Sequence, residues 1–515
     1  MLSNDKVVFK DYDSKQLLLL PPSLEELIPC SHPSRVANNV IENIDIQILI
    51  DKYKGGGTSS YHPKLLLKLL VYGYLSNVYS SRKLALMCKE QVPMMWLCGM
   101  SCPDHNTINR FRSERLKGVL KEVFSQVVLL LSESGHLDLK EAYTDGTKIE
   151  ANANKYTFVW GNSIKTNKEK MVKQLEDLWT YSQSVAKSES GVSEALDLSD
   201  ITAEKVERTL QVIEENLTSK VVIDKKKKQK LNYAKREWPN KLRAYKKQEE
   251  ILENRNSYSK TDHDATFMRM KDDHMQNGQL KAGYNLQIST NKQFILHYTL
   301  HQKPSDSTTL IPHLRSFKTY LKALPDILTA DAGYGSHENY EYLKEQEVEA
   351  YVKYNYFHKE QKEETKKSKK RDNIKNVSKL HYNKEKDEYI CPMGQSMKRI
   401  GRSTKKTENG YEQKLAVYQA KNCTGCSLRA SCHKSKTHRM IQVNHDLNQL
   451  KVRAKERLLS EKGIKHRKQR CADVEAAFGN LKQNKGFTRF SLRGLEKVEI
   501  ETGLMALAHN LAKVA

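Results

Sequence analysis

No stretch of this chain stays apolar long enough to cross a bilayer: the longest uninterrupted aliphatic run, Val127 to Leu131, is far short of the ~20 residues a spanning helix needs. Met1 to Lys10 has no apolar core, so no secretory leader is expected there. Cysteine is sparse and odd in number, nine in 515 residues, and Cys30, Cys88, Cys98, Cys102 and Cys471 form no paired framework. These absences set aside membrane-spanning and disulfide-stapled secreted proteins, and point to a soluble protein in a reducing, cytoplasmic compartment. No G-x-x-x-x-G-K-[ST] phosphate loop is present. Gly55-Gly56-Gly57 lacks the lysine and reads as a flexible joint, so nothing points to ATP use. Negative charge is also short: 62 Asp and Glu against 87 Lys and Arg give a formal charge of +25. That balance favours a polyanionic partner such as nucleic acid, although ribosome-associated and membrane-surface proteins share it.

The chain is too long for one hydrophobic core, so two or three domains are expected. From His62 to about Glu133 it reads as helices, opened by Pro63-Lys-Leu-Leu-Leu, Ser80-Ser-Arg-Lys-Leu and Pro103-Asp-His-Asn-Thr. The third carries Asn106, Asn109, Arg110, Arg112 and Arg115, types able to reach phosphates and base edges as in a helix-turn-helix. An amphipathic packing helix with a solvated basic face has the same pattern.

The texture then changes. Ala142-Tyr-Thr reads as a short strand ending in Asp145-Gly146-Thr147. From about Asn162 to Arg255 the Lys-, Glu-, Gln- and Leu-rich stretch, with the run Lys225 to Lys228, predicts long surface helices inserted between strands, either solvated or holding DNA. Gly283-Tyr-Asn-Leu-Gln-Ile-Ser and Gln293-Phe-Ile-Leu-His-Tyr-Thr-Leu suit a hairpin turning at Thr290-Asn-Lys. A helix from Asp306-Ser-Thr-Thr-Leu leads to the strand Pro325-Asp-Ile-Leu-Thr-Ala, which delivers Asp331. A further helix and strand follow, and then Lys359 to Lys375, almost wholly charged, is expected to be a flexible loop. Strand, hairpin, helix, strand, helix, strand is the order of an α/β mixed sheet.

An Asp at a strand's end is held by a rigid scaffold yet open to substrate. Carboxylates are the hard ligands that Mg²⁺ or Mn²⁺ prefers, and paired ions about 3.5–4 Å apart serve phosphodiester chemistry. Beyond Asp145 and Asp331, a third is offered by the basic helix Arg467 to Lys482, where Glu475, Phe478, Gly479 and Lys482 fall on one face. An ordinary surface ion pair would read the same way. Asp473 is a rival ligand, about 200° around the helix from Glu475. Asp262 and Asp264 read as loop or strand-entry residues.

Thr144-Asp-Gly-Thr-Lys-Ile-Glu-Ala-Asn-Ala-Asn154, Ala330-Asp-Ala-Gly-Tyr-Gly335 and Val474-Glu-Ala-Ala-Phe-Gly-Asn-Leu-Lys482, in this order, resemble the three catalytic motifs of DDE-type insertion-sequence transposases. Gly486-Phe-Thr-Arg-Phe-Ser-Leu-Arg-Gly494 and Ala506-Leu-Ala-His-Asn-Leu511 resemble that family's closing segment, and the N-terminal helices its leading domain. The resemblance implies an RNase H-like mixed sheet with flanking helices, preceded by an all-helical domain. It would make residues 1–135 the DNA-binding domain and 136–515 the catalytic domain, with a helical insertion at about 155–275 and a Cys-rich one at about 357–450. Asp145, Asp331 and Glu475 would be the catalytic, metal-binding carboxylates; Lys482, Asn106, Asn109, Arg110 and Arg112 would touch DNA. The substrates implied are the element's terminal inverted repeats and target DNA, acted on near the bacterial nucleoid by a homodimer or larger assembly. A metal-dependent nuclease and a non-catalytic DNA-binding protein are the rival readings. One departure stands out: many relatives carry Arg four residues before the catalytic Glu, where this chain has Cys471, and Arg470, one residue earlier, is in a different helical phase.

Separately, Cys423-Thr-Gly-Cys426, with Cys432 and the upstream Cys391-Pro-Met-Gly, has the spacing of a structural Zn²⁺ site, and His433 is an alternative donor. Little apolar material surrounds these residues, so a metal cross-link would supply order that the core cannot.

Overall fold

The computed structural model describes residues 23–53, 60–186, 201–218, 224–270, 278–365, 376–407 and 409–515. The Gly55–Gly57 joint lies outside them. Two compact units emerge, 1–127 with 504–515, and 128–503, whereas the sequence reading placed the boundary after residue 135 and kept the tail in the catalytic domain.

The first unit is helical among its described residues: α1 (Pro33–Glu42), α2 (Gln47–Ile50), α3 (Pro63–Leu75), α4 (Ser81–Glu90), α5 (Val92–Leu97), α6 (His105–Arg110) and the start of α7 (Leu120–Glu133). Helix α3 opens with Pro63 at its first turn, where a missing N–H costs nothing, and His62 accepts from Lys64 N. Apolar apart from Lys64 and Lys68, which pair with Glu42, α3 buries Leu66, Leu67, Leu69, Leu70 and Tyr74 and forms the centre of this unit. Asp104 caps α6, accepting from the N–H groups of Asn106 (2.7 Å) and Thr107 (2.8 Å).

In the second unit the central strand is β1 (Glu141–Glu150). Two very short strands, β2 (Phe158–Trp160) and β3 (Ser257–Ser259), pair at the base of the helical insertion and bracket α8 (Gly161–Ala186), α9 (Ala203–Thr218) and α10 (Lys225–Leu252). These are three helices with a core of their own, including Leu175, Leu210, Ile213 and Trp238. The Lys225–Lys228 run forms the exposed first turn of α10 apart from half-buried Lys227.

The main sheet continues with β4 (Thr266–Arg269), β5 (Leu280–Asn291), β6 (Phe294–His301), β7 (Ile327–Ala330) and β8 (Glu349–Val352). Its order is β4-β5-β1-β7-β8, with β6 also on β5; β1 is antiparallel to β5 and parallel to β7, and β7 is parallel to β8. Together with α11 (Leu310–Leu321) after β6 and α12 (His337–Glu345) after β7, this is the RNase H-like mixed sheet. The β5–β6 turn is Lys292-Gln293, one step later than the sequence reading, and both residues have positive φ as a tight two-residue hairpin turn requires.

The charged segment from Lys359 is not all loop. Through residue 365 it is α13 (Phe357–Thr365), because Phe357 is buried and Tyr354 donates to Glu360 at 2.6 Å; 366–375 lie outside the described residues. The Cys-rich insertion folds as a separate antiparallel sheet of β9 (His381–Asn383), β10 (Glu388–Ile390), β11 (Ser396–Lys406), β12 (Glu412–Ala420) and β13 (Met440–Val443), with the single-turn α14 (Arg429–Cys432) between the last two. Then come α15 (His445–Leu459), α16 (Glu461–Arg470), a π-helical turn Cys471–Glu475, α17 (Ala476–Gly479), a second π-helical turn Asn480–Asn484, and α18 (Leu495–Ala512).

Candidate active site

The register of the parallel pair determines the site. Thr144 lies opposite Ala330, so the next residues, Asp145 and Asp331, leave neighbouring strands side by side, where parallel strands run about 4.8 Å apart. β7 stops there. β1 does not, because its other edge stays paired with β5 through Glu150. Asp145 therefore sits within a strand rather than at its end, at the point where the sheet opens on one side only. Gly146 follows for a steric reason: a Cβ there would run into the Gln287 side chain and reach Asp306 Oδ1 at 2.9 Å.

Under these aspartates lies a polar layer that the linear reading passed over. Tyr334 donates to Gln287, while Gln287 (3.1 Å) and Asn285 (2.8 Å) both donate to Asp306 Oδ1. Burial, then the charges of Asp145, Asp306 and Asp331, keep the Tyr334 hydroxyl protonated far above its ordinary range. Asp306 signalled only a helix start in the sequence; three-dimensionally it anchors Asn285 and Gln287 of β5, and Gln287 in turn holds Tyr334 of the Asp331 loop.

Helix α16 brings the third carboxylate. It docks through His466, which is buried, bonds Tyr143 OH at 3.1 Å and stacks on Tyr351. Its last residue, Arg470, is 5% exposed and spans two acids: Nη1 donates to Asp145 Oδ2 at 2.9 Å and Nη2 to Glu475 Oε1 at 3.0 Å. The helical-phase objection to Arg470 fails because Cys471–Glu475 is a π turn, whose backbone bonds run i→i+5 and return Arg470 to the face of Glu475. Burial opposes the charge on Arg470, but Asp145, Asp331 and Glu475 outweigh it. Lys353, buried just after β8, holds Asp331 at 3.2 Å. Burial would raise the Asp331 pKa; Lys353, the Ala332 N–H and Arg470 together bring it below the usual value, so this carboxyl remains ionised through neutral pH.

Asp473 is accounted for elsewhere. Fully buried, it accepts from Gln293 N at 2.9 Å and so pins the β5–β6 turn to the π turn. Asp262 accepts from Tyr284 OH (2.9 and 3.0 Å) and Gly494 N, and Asp264 accepts from Leu495 N at the start of α18, both anchoring roles. Lys482 is half-buried in the second π turn. In the first unit, Asn106, Asn109 and Arg110 are exposed on α6. Arg112 is not available to DNA: it is 5% exposed, donates to Tyr79 O at 2.7 Å and to Asn109 at 3.3 Å, and belongs to the core. Arg115 lies over the Tyr53 ring.

Gly335 closes the Asp331 loop against the end of β8, where a Cβ would overlap the backbone of Lys353 and Tyr354. Gly335→Ala should cost about 1–3 kcal/mol, read as a lowered urea midpoint, and should weaken metal-dependent activity by displacing Asp331. Unchanged stability and activity would show that this close approach is unimportant.

An RNase H-like sheet with two acids on adjacent strands and a third on a facing helix defines the class: a carboxylate core of the DDE type. Comparison with protein families then places the chain. The family described as Transposase DDE domain matches residues 390–515, which include Glu475, and a Transposase domain matches residues 22–114, which include α6. With these matches at its two ends, the chain is similar to DDE-type insertion-sequence transposases. No curated protein matches it. Among the described residues, no helix is long and apolar enough to cross a membrane.

Proposed function

We propose that this protein is a transposase that binds the terminal inverted repeats of its element, cleaves there, and joins the released 3′-hydroxyl to target DNA. The observation that supports this most is that Arg470 bridges Asp145 and Glu475 while Lys353 holds Asp331, which the parallel register sets beside Asp145. Oxygen-only donors of this kind fit Mg²⁺ or Mn²⁺, and the positive groups already facing the aspartates mark a place where cationic charge is favoured. Asp145, Asp331 and Glu475 would hold such ions, which when bound activate an attacking oxygen and stabilise the leaving oxygen of a phosphodiester.

The chain's own residues do the rest. Asp306, Gln287 and Tyr334 brace the Asp331 loop against β5, the neighbour of the strand that carries Asp145, and rigidity lowers the cost of ordering reacting groups. Arg470 occupies the gap between Asp145 and Glu475 until cations compete for these carboxylates or DNA phosphate competes for its guanidinium. Lys482 and the exposed Asn106, Asn109 and Arg110 supply contacts to phosphates and base edges. Joining two element ends in one event calls for at least two chains on DNA.

The test is to incubate the protein with labelled DNA from either flank of its coding region, a plasmid, and Mg²⁺ or Mn²⁺. Metal-dependent transfer of label to the plasmid is expected. Cleavage without joining would replace the proposal with a nuclease, and binding without any chemistry with a DNA-binding protein.

A further inference from the structure

The β9–β13 sheet holds a cluster of donors that DNA chemistry does not use. Cys391 follows β10, Cys423 and Cys426 follow β12, and Cys432 ends α14, yet all four border one small, mostly apolar cavity, together with His433. Each of the two leading cysteines opens a tight turn closed by a left-handed glycine, Gly394 at φ +79° and Gly425 at φ +69°. In the first turn, Gly394 N donates to Cys391 O at 2.8 Å and Gln395 N to Cys391 Sγ at 3.3 Å. In the second, the sulfur of Cys423 accepts from Arg439 N at 3.4 Å, and the Arg439 side chain donates to Cys432 Sγ at 3.0 Å. Both ring nitrogens of His433 are buried without a hydrogen-bond partner, a cost that a polar or charged occupant beside them would relieve.

All four cysteines are free. As they stand, no three His, Cys, Asp or Glu among the described residues close into a metal-binding group; the thiols ring the cavity instead of meeting at its centre. The sheet they tie together is thin, its buried residues being few and headed by Tyr389, Met397, Tyr418 and Ile441. A small core of that kind gains most from a cross-link.

We propose that Cys391, Cys423, Cys426 and Cys432 bind a structural Zn²⁺ as four thiolates, joining the β10–β11 turn to the segment between β12 and β13. His433 lies outside this set and serves as a hydrogen-bond donor to a bound thiolate. Tetrahedral sulfur ligation with a C-x₂-C element suits zinc, and rotation of the side chains about χ1 is the movement that closes the ring. The site belongs to a different sheet from the one that carries Asp145 and Asp331, and its test does not depend on transposition.

Elemental analysis of the purified full chain, with thiol titration before and after chelation, reads it directly. About one zinc per chain is expected, with four thiols becoming reactive when it is removed. Cobalt in its place should give the intense near-ultraviolet charge-transfer bands of thiolate ligation. Cys423→Ser with Cys426→Ser should lose the metal and make the 381–443 segment sensitive to protease, while Cys471→Ser, the control, keeps both properties. Folded wild-type protein without zinc, or a double variant that retains it, would overturn the proposal. So would cobalt bands lacking sulfur character, which are read on wild type and stand even where the double variant does not fold.

Discussion

Asp331→Asn is expected to abolish cleavage and joining while leaving binding to the element's ends within a few-fold of wild type. The substitution keeps the shape of the side chain and removes its charge, so the loss falls on metal affinity and on charge stabilisation in the transition state. That contribution is several kcal/mol, and each 1.4 kcal/mol is about tenfold in rate, so a drop of at least roughly a hundredfold should be read in strand joining. Fold is not expected to suffer: the side chain of Asp331 is 45% exposed and its ion-pair partner, Lys353, can still donate to the amide oxygen. A variant that joins strands as well as wild type would remove Asp331 from the chemistry, and one that neither binds nor folds would have to be replaced by Asp145→Asn before the carboxylate set could be judged.

Arg470→Ala should produce the second large effect, on stability. The guanidinium is nearly inaccessible, and the Asp145 side chain facing it is only 13% exposed. Removing one partner of a buried pair strands the other, which typically costs about 3–5 kcal/mol. The Glu475 half of the bridge contributes little, since that carboxylate is 53% exposed and well screened. A divalent cation should then stabilise the variant more than wild type, because it replaces the missing charge beside Asp145 and binds only the folded chain. Urea unfolding with and without millimolar Mg²⁺ measures both. Equal stabilisation of the two proteins by Mg²⁺ would mean that Arg470 and the ion do not share Asp145, and an undiminished variant would mean that the buried bridge is worth nothing.

How much of this was written in the linear chain differs from element to element. Short apolar segments bounded by turn residues marked β5, β6 and β7 well, because a strand buried on both faces has to be apolar along its length. Asp331 was legible for the same reason, as a carboxylate directly after such a segment. The end of β1 was not, since whether a strand continues depends on a partner, β5, that lies more than a hundred residues downstream. Arg112 had the composition of a DNA contact; the carbonyl of Tyr79 that claims it is invisible to local pattern. Charge density alone suggested a loop from Lys359, but one buried ring, Phe357, and the Tyr354–Glu360 bond are enough to seat a helix. Ideal α spacing puts Arg470 out of phase with Glu475, and the π turn that brings them together inserts its extra residue without any signal in composition.

By itself the sequence determined the chemistry available: three acids in motif order, a basic surface for a polyanion, four cysteines spaced for a soft metal, and no means of crossing a bilayer by a long apolar helix. It did so because residue type and short-range spacing are properties of the covalent chain. Only the tertiary structure decided which of these groups meet. The parallel register that sets Asp145 beside Asp331, the π turn that returns Arg470 to Glu475, the Asp306 layer beneath them and the burial that withdraws Arg112 all arise from contacts between distant segments, where packing and desolvation, rather than local preference, decide the outcome.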